Sequence, residues 1–178
     1  MTRRRFEAVE RAALASLHEA ASSPLRERLG MRLERVGSAS VSIVPAIDSI
    51  VVNRAIGLGT ERPATKEDVE RIAARYEEAG VARHLVHLDG DAEPAGLEGW
   101  LEARGYRSYR AWVAFERRGG EAPPEADSDL EVRRAAPEDA DAFGAIAAVG
   151  FGLGEAGTPL AGALTAHPAW RTYLTVDG

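Results

Sequence analysis

Ile50–Glu77 reads IVVNRAIGLGTERPATKEDVERIAARYE. It is an apolar β-branched run, a turn built on Gly57 and Gly59, and a long amphipathic helix. A strand that empties through glycines toward a helix exposes unpaired backbone N–H groups, the usual resting place of phosphate-bearing ligands. Pro63 bars an earlier helical start, and Thr65, three residues before Asp68, has the spacing of an N-cap. The pattern predicts a strand over Ile50–Ile56 and a helix over Lys66–Ala79 that buries Val69, Ile72, Ala73 and Tyr76. Gly80 is its natural stop.

Upstream, Phe6, Val9, Ala13, Leu14, Leu17 and Ala20 recur at helical spacing, with Glu7, Arg11, Ser16 and Glu19 between them. An amphipathic helix is predicted over residues 4–21, and a second, short one over Pro24–Leu33 with a solvated charged face. Ala39–Val44 alternates small polar and β-branched residues and is expected to form a hairpin with Ile50–Ile56. Downstream come a strand at Val81–Leu88, a helix at Pro94–Arg104 closed by Gly105, and a strand at Tyr106–Arg117. On that last strand Tyr109, Ala111, Val113 and Phe115 share one face.

The 178 residues carry 28 acidic and 22 basic side chains, a net charge of −6, and no cysteine. A surplus of negative charge repels phosphate backbones and argues against a general nucleic-acid binder. Without cysteine there is no disulfide, thiol nucleophile or Cys-ligated zinc, which fits a reducing, cytoplasmic setting. No apolar run approaches the roughly 18 residues of a membrane span. Lys66 is the only lysine among the basic residues, an arginine and alanine bias that points to a GC-rich bacterial genome.

Metal chemistry finds no support. The break D-G-D-A-E at Asp89–Glu93 imitates the start of a calcium loop, but Pro94 stands where the glycine is required and Trp100 where the glutamate is required. His84 and His87, three apart in a strand, point to opposite faces and cannot share an ion, while His18 and His167 lie far off in sequence. All four histidines are expected to serve packing or the surface.

Gly119–Ser128 is rich in Pro, Gly, Glu and Asp without periodicity and reads as a linker. Beyond it a short strand at Leu130–Arg134 precedes a helix opened by Pro137, with Ala140, Phe143, Ile146 and Ala147 on one face. A glycine-rich loop at Phe151–Gly157, a short helix at Leu160–Ala166 and a strand at Trp170–Val176 follow.

Arg54, Gly57 and Gly59 fall in the spacing R-x-x-G-x-G, which resembles the pyrophosphate loop of the GCN5-related N-acetyltransferase family, where it cradles acetyl-CoA. The segment W-L-E-A-R-G-Y-R, Trp100–Arg107, is similar to the family's helix-to-strand junction. The order strand, loop, helix, strand, helix, strand from Ile50 to Arg117 matches its CoA-binding half. V-R-R-A-A-P-E-D-A-D-A-F, Val132–Phe143, resembles the family's first strand and first helix. The fold this resemblance implies is α/β of the α+β kind, a mixed and mostly antiparallel sheet flanked by helices. Residues 1–117 would form one such unit, 118–128 the linker, and 129–178 the opening of a second.

The resemblance further implies transfer of an acetyl group from acetyl-CoA to an amine, either a small molecule or a peptide N-terminus. It assigns the cosubstrate to Arg54, Gly57 and Gly59, and a substrate-lining role to Phe151 and Trp170, because the family's first helix pair and the loop between them flank the acceptor site. No metal is implied, and an oligomer is compatible with the family.

The chain also departs from the pattern. Thr60–Ala64 lengthen the glycine loop, and the family's catalytic tyrosine maps to Leu101, which has no proton to give. The asparagine common after the preceding strand is missing from Asp89–Glu93. The first unit is therefore expected to be a degenerate copy. Asp177–Gly178, after an apolar strand, has the composition of a hairpin turn, so catalysis is expected mainly beyond Gly178. The alternative is a non-catalytic binding or interaction module.

Overall fold

The computed structural model describes residues 3–113 and 129–176. It is a mixed α and β protein whose described part holds six α-helices and two small sheets. Helices α1 (Arg3–Ala20) and α2 (Ser23–Leu29) lead into strands β1 (Arg32–Val36), β2 (Ala39–Ile43) and β3 (Arg54–Ile56). Helix α3 (Lys66–Glu78) crosses to β4 (Leu85–Val86), and α4 (Leu97–Ala103) follows. The sheet order is β1-β2-β3-β4, antiparallel except that β4 runs parallel to β3, with Arg54 opposite Leu85. A parallel neighbour needs a crossover, and α3 supplies it.

Helix α3 follows its sequence closely. The Thr65 hydroxyl accepts from the Asp68 N–H, and the Asp68 carboxylate accepts from the Thr65 N–H, both at 3.1 Å. This reciprocal cap satisfies two amides that a helix start otherwise leaves open. Val69, Ile72, Ala73 and Tyr76 are buried as predicted. They form a core with Val36, Val41, Ala55, Leu58 and Leu97.

Several elements differ from expectation. The helix predicted over Pro24–Leu33 stops at Leu29, because Gly30 takes a left-handed φ of 64° and caps it. Arg32–Val36 is instead the edge strand of a hairpin with β2, turned at Gly37 and Ser38. Its charged, largely exposed residues mimic a solvated helix in sequence. Strand β3 does pair with β2, but over Arg54–Ile56 only. Residues 44–53 wind around the side chain of Asn53, which is fully buried. Its amide accepts from the Val44 N–H and donates to the Ile47 carbonyl, each at 2.7 Å.

The strand expected at Val81–Leu88 shrinks to two residues, and α4 begins at Leu97 rather than Pro94. Residues 106–113 form no strand, and Tyr109 and Val113 are exposed; Phe115 lies outside the described residues, as does the expected linker. In α1 the apolar stripe is buried only in part, at Leu14 and partly at Leu17. Phe6 and Val9 are exposed, whereas Glu7, Ser16 and His18 are buried beside Leu14. The sheet face that α1 covers presents polar groups, and polar side chains meet them.

The remaining residues form β5 (Glu131–Arg134), α5 (Ala140–Phe151), α6 (Gly154–Gly162) and β6 (Tyr173–Val176), with β5 and β6 paired antiparallel. The glycine-rich loop expected at Phe151–Gly157 is mostly helical, since α5 and α6 are separated only by Gly152 and Leu153. On α5 the buried positions are Gly144 and Ala148, while Ile146 is exposed. Glycine allows this close approach: a Cβ at Gly144 would lie 2.3 Å from the Thr158 carbonyl oxygen, and one at Gly162 would lie 2.5 Å from that of Ala140. Ala148, Leu153, Leu160 and Ala161 then share a second core with Ala21, Leu29, Val44, Ile47 and Val52. The two ends of the chain thus bury apolar surface against each other. Among the described residues, no helix is long and apolar enough to cross a membrane.

Candidate functional site: a cleft beside strand β4

Among the described residues strand β4 is the last in its sheet, with one edge unpaired. An open cleft of about 1380 Å³ runs along that edge, walled by α4, the start of α1 and residues 106–113. Its lining includes Glu10, Gly57, His84, His87, Leu101 and Tyr106. Concave sites lined by apolar and aromatic side chains with a few polar groups are where small ligands are commonly held.

Gly57 and Gly59 take φ values of 94° and 79°, which side-chain-bearing residues rarely adopt. The turn they make is buried, and its polar groups are largely engaged within the chain. The Gly59 N–H donates to Ser38 Oγ at 3.0 Å, and that hydroxyl donates to the Gly57 carbonyl at 2.6 Å. The Thr60 N–H bonds the Gly57 carbonyl and the Ala64 N–H the Glu93 carbonyl. Thr65 and Asp68 close their own cap. The amides of Gly59, Thr60 and Ala64 are therefore taken within the chain rather than left open to a phosphate.

Carboxylates occupy the same neighbourhood. Arg54 pairs with Glu10 of α1 at 3.2 Å, and a Cβ at Gly57 would lie 2.6 Å from Glu7 Oε1. Arg11 holds Glu7 at 3.3 Å and Glu61 at 2.5 Å, and Glu61 also contacts Arg35. The Arg11 hydrogen bond, with the charges of both arginines, keeps the Glu61 carboxyl below its usual range. Arg54, Gly57 and Gly59 thus lie together at the end of β3, with α1 laid across them. Phe151 and Trp170 are elsewhere. Phe151 is exposed at the end of α5, its carbonyl 3.5 Å from Ser49 Oγ. The Trp170 indole N–H donates to Ser16 Oγ at 2.9 Å.

A pair of groups not anticipated from sequence stands on the cleft wall. His84 stacks on Tyr76, ring centroids 3.9 Å apart, and its Nε2 lies 2.9 Å from the Tyr106 hydroxyl. Burial lowers the His84 pKa, so the ring is neutral near pH 7, and burial pushes the Tyr106 hydroxyl up to about 12. His87 packs near Trp112, and burial, helped by the charge of Arg54, brings it down to about 4. The two histidines have different neighbours, and no group of three or more His, Asp or Glu fit to hold a metal occurs among the described residues. The available signal was Gly105: a glycine ending α4 folds the next residue back onto the helix.

Comparison of the chain with models of protein families, with curated proteins and with solved structures gives no match.

Proposed function

We propose that the chain serves acyl transfer from acetyl-CoA to an amine, in the manner of the GCN5-related N-acetyltransferases, and that its ligand cleft is the one at the β4 edge. The observation that supports this reading is the order β3, glycine turn, α3, β4, α4, with β4 parallel to β3 inside an otherwise antiparallel sheet. That order is the one shared with the family's CoA-binding half apart from its last strand, which residues 106–113 do not form. The division into a first unit and the opening of a second belongs to the same proposal, as does the choice of a small-molecule amine or a peptide N-terminus as acceptor.

The chemistry requires a neutral amine, a donor for the thioester oxygen and a proton for the departing thiolate. A second reading, a binding unit that does not transfer, draws support from the internal bonding of the glycine turn. With Gly59, Thr60, Ala64, Thr65 and Asp68 donating within the chain, that turn is a poor phosphate cradle.

Calorimetric titration with acetyl-CoA, followed by a thiol-release assay with a panel of amines, tests the proposal. Saturable binding with amine-dependent release of free CoA supports transfer. Binding without release supports the second reading, and the absence of heat at millimolar acetyl-CoA rejects transfer and supports the second reading as well.

A further inference from the structure

The hydrogen bonds that join β4 to β3 fix the direction of its backbone groups. The Leu85 N–H donates to the Asn53 carbonyl at 3.1 Å and the His87 N–H to the Ala55 carbonyl at 2.9 Å. Peptide groups alternate in direction along a strand, so the N–H and C=O of Val86 point away from β3 and into the cleft that Val86 lines. Among the described residues no backbone group meets them. An edge of this kind is a template for a further strand.

The space beside that edge has the form of a slot for a chain segment. It holds about 1380 Å³, beyond the roughly 300–1,000 Å³ of ordinary small-molecule pockets. The segment 106–113 runs alongside β4 without forming a strand, touching it through Tyr106 at His84 and through Trp112 at His87. The slot is also walled on both faces of the sheet. Helix α1 covers the face on which Arg54 lies and contributes Phe6 and Glu10, while α4 covers the face of Ala55 and contributes Leu101. A strand laid along β4 would turn alternate side chains toward these two walls.

The charge left unpaired in the slot is mostly acidic. Glu98 and Glu102, one helical turn apart on α4, line it and have no ion partner among the described residues. Like charges at that spacing weaken a helix slightly, and a cation between them relieves it. The other charges are largely engaged: Glu7 and Glu10 hold Arg11 and Arg54, Arg83 holds Asp48, and Arg110 stacks on the rings of Tyr109 and Trp112 at 5.1 and 5.0 Å. Arg107 alone does not balance the two free carboxylates of α4.

We propose that this slot takes an extended, basic segment of a partner protein as a fifth strand on β4. Main-chain bonds to Val86 hold the segment, and the two walls select its alternate side chains. Apolar residues on one of its faces meet the α1 wall at Phe6, and lysines or arginines on the other lie over Glu98 and Glu102. The proposal stands apart from acyl transfer, because no amine of the segment has to react.

The probe is a synthetic octapeptide, acetylated and amidated at its ends, in which valine alternates with threonine and lysine. Titrated by calorimetry into the full chain without acetyl-CoA, it is expected to bind saturably. Methylating alternate peptide nitrogens removes the bonds on one edge of the peptide and keeps every side chain. The two possible registers of methylation are expected to differ at least ten-fold in affinity, since only one of them faces β4. Equal affinities in the two registers, or no saturable binding at millimolar peptide, overturn the proposal.

Replacing both lysines of the peptide by glutamate should weaken binding roughly ten-fold. In a chain carrying Glu98→Gln and Glu102→Gln, two exposed positions, that preference should shrink to a few-fold. A preference that ignores the double substitution overturns the assignment of the basic partner. Amide exchange then shows what covers the edge. The Val86 N–H should exchange freely in the chain alone and at least ten-fold more slowly with peptide bound. Slow exchange without peptide means that the chain itself or a second copy already occupies the edge, and it overturns the proposal.

Discussion

Gly59 and Glu93 meet backbone to backbone: the Glu93 N–H donates to the Gly59 carbonyl at 2.9 Å, and a Cβ on Gly59 would lie 2.4 Å from the Glu93 carbonyl oxygen. This contact ties the glycine turn to the approach of α4. It makes the turn a structural joint between the sheet and the segment that walls the cleft.

The two glycines should therefore differ in their tolerance of alanine. A left-handed backbone costs a side-chain-bearing residue roughly 1–2 kcal/mol at either position. At Gly57 the nearest atom is the end of a flexible glutamate, which can turn aside, so little is added. At Gly59 the obstacle is backbone, and the expected loss is about 3 kcal/mol or more. Urea unfolding of Gly57→Ala and Gly59→Ala checks the order, and equal losses would contradict it.

Asn53→Ala should destabilise by about 3 kcal/mol, because it strips partners from the Val44 N–H and the Ile47 carbonyl in a dry interior. The measurement is the denaturation midpoint. A loss below about 1 kcal/mol would mean that water replaces the amide.

His18 makes folding sensitive to acid. It is buried against Ser42, Nε2 to Oγ at 2.8 Å, and the Ser42 hydroxyl donates to the Val52 carbonyl, so His18 is the donor to Ser42. Burial, with the charge of Arg26, brings its pKa down from 6.5 to about 4. Below pH 6.5 the unfolded chain binds a proton that the folded chain refuses, so stability is full above that pH and falls through the window down to about 4. The loss from His18 alone reaches roughly 3 kcal/mol at the acid end. Denaturation midpoints at pH 7.5 and 4.5 should diverge in the parent and converge in part in His18→Gln. An equal pH response in both would contradict the assignment.

Leu160 couples the two ends of the chain. It has no exposed surface and packs in the core that holds Leu29, Val44 and Ile47. Leu160→Ala should cost about 2–5 kcal/mol. The loss should appear in the unfolding of Asn53 and its loop, followed by amide exchange, as well as in α6. Exchange at residues 44–53 that ignores the substitution would mean that the α5–α6 pair is held independently.

Local signals in the sequence determined α3 and the stop of α4. Thr65 with Asp68, Gly80 and Gly105 act through bonds spanning a few residues, so cap and stop were legible at α3 and the stop at α4. The antiparallel pairing of β2 with the segment ending at Ile56 was also readable, though the β-branched run Ile50–Val52 itself lies in the loop and only Arg54–Ile56 pair. What only the tertiary structure decided are contacts between distant segments. Charge alternation in Arg32–Val36 is the same for an edge strand as for a solvated helix, and pairing with β2 settles which forms. The burial of Glu7 and His18 follows from the side-chain-free Gly57 and from Ser42 beneath α1, and no periodicity encodes that. The glycine turn was readable as a turn, but the fate of its amides depended on Ser38 and Glu93, which lie outside it. The partnership of His84 with Tyr106 spans two elements and becomes visible only once α4 folds the tyrosine back beside the β4 edge.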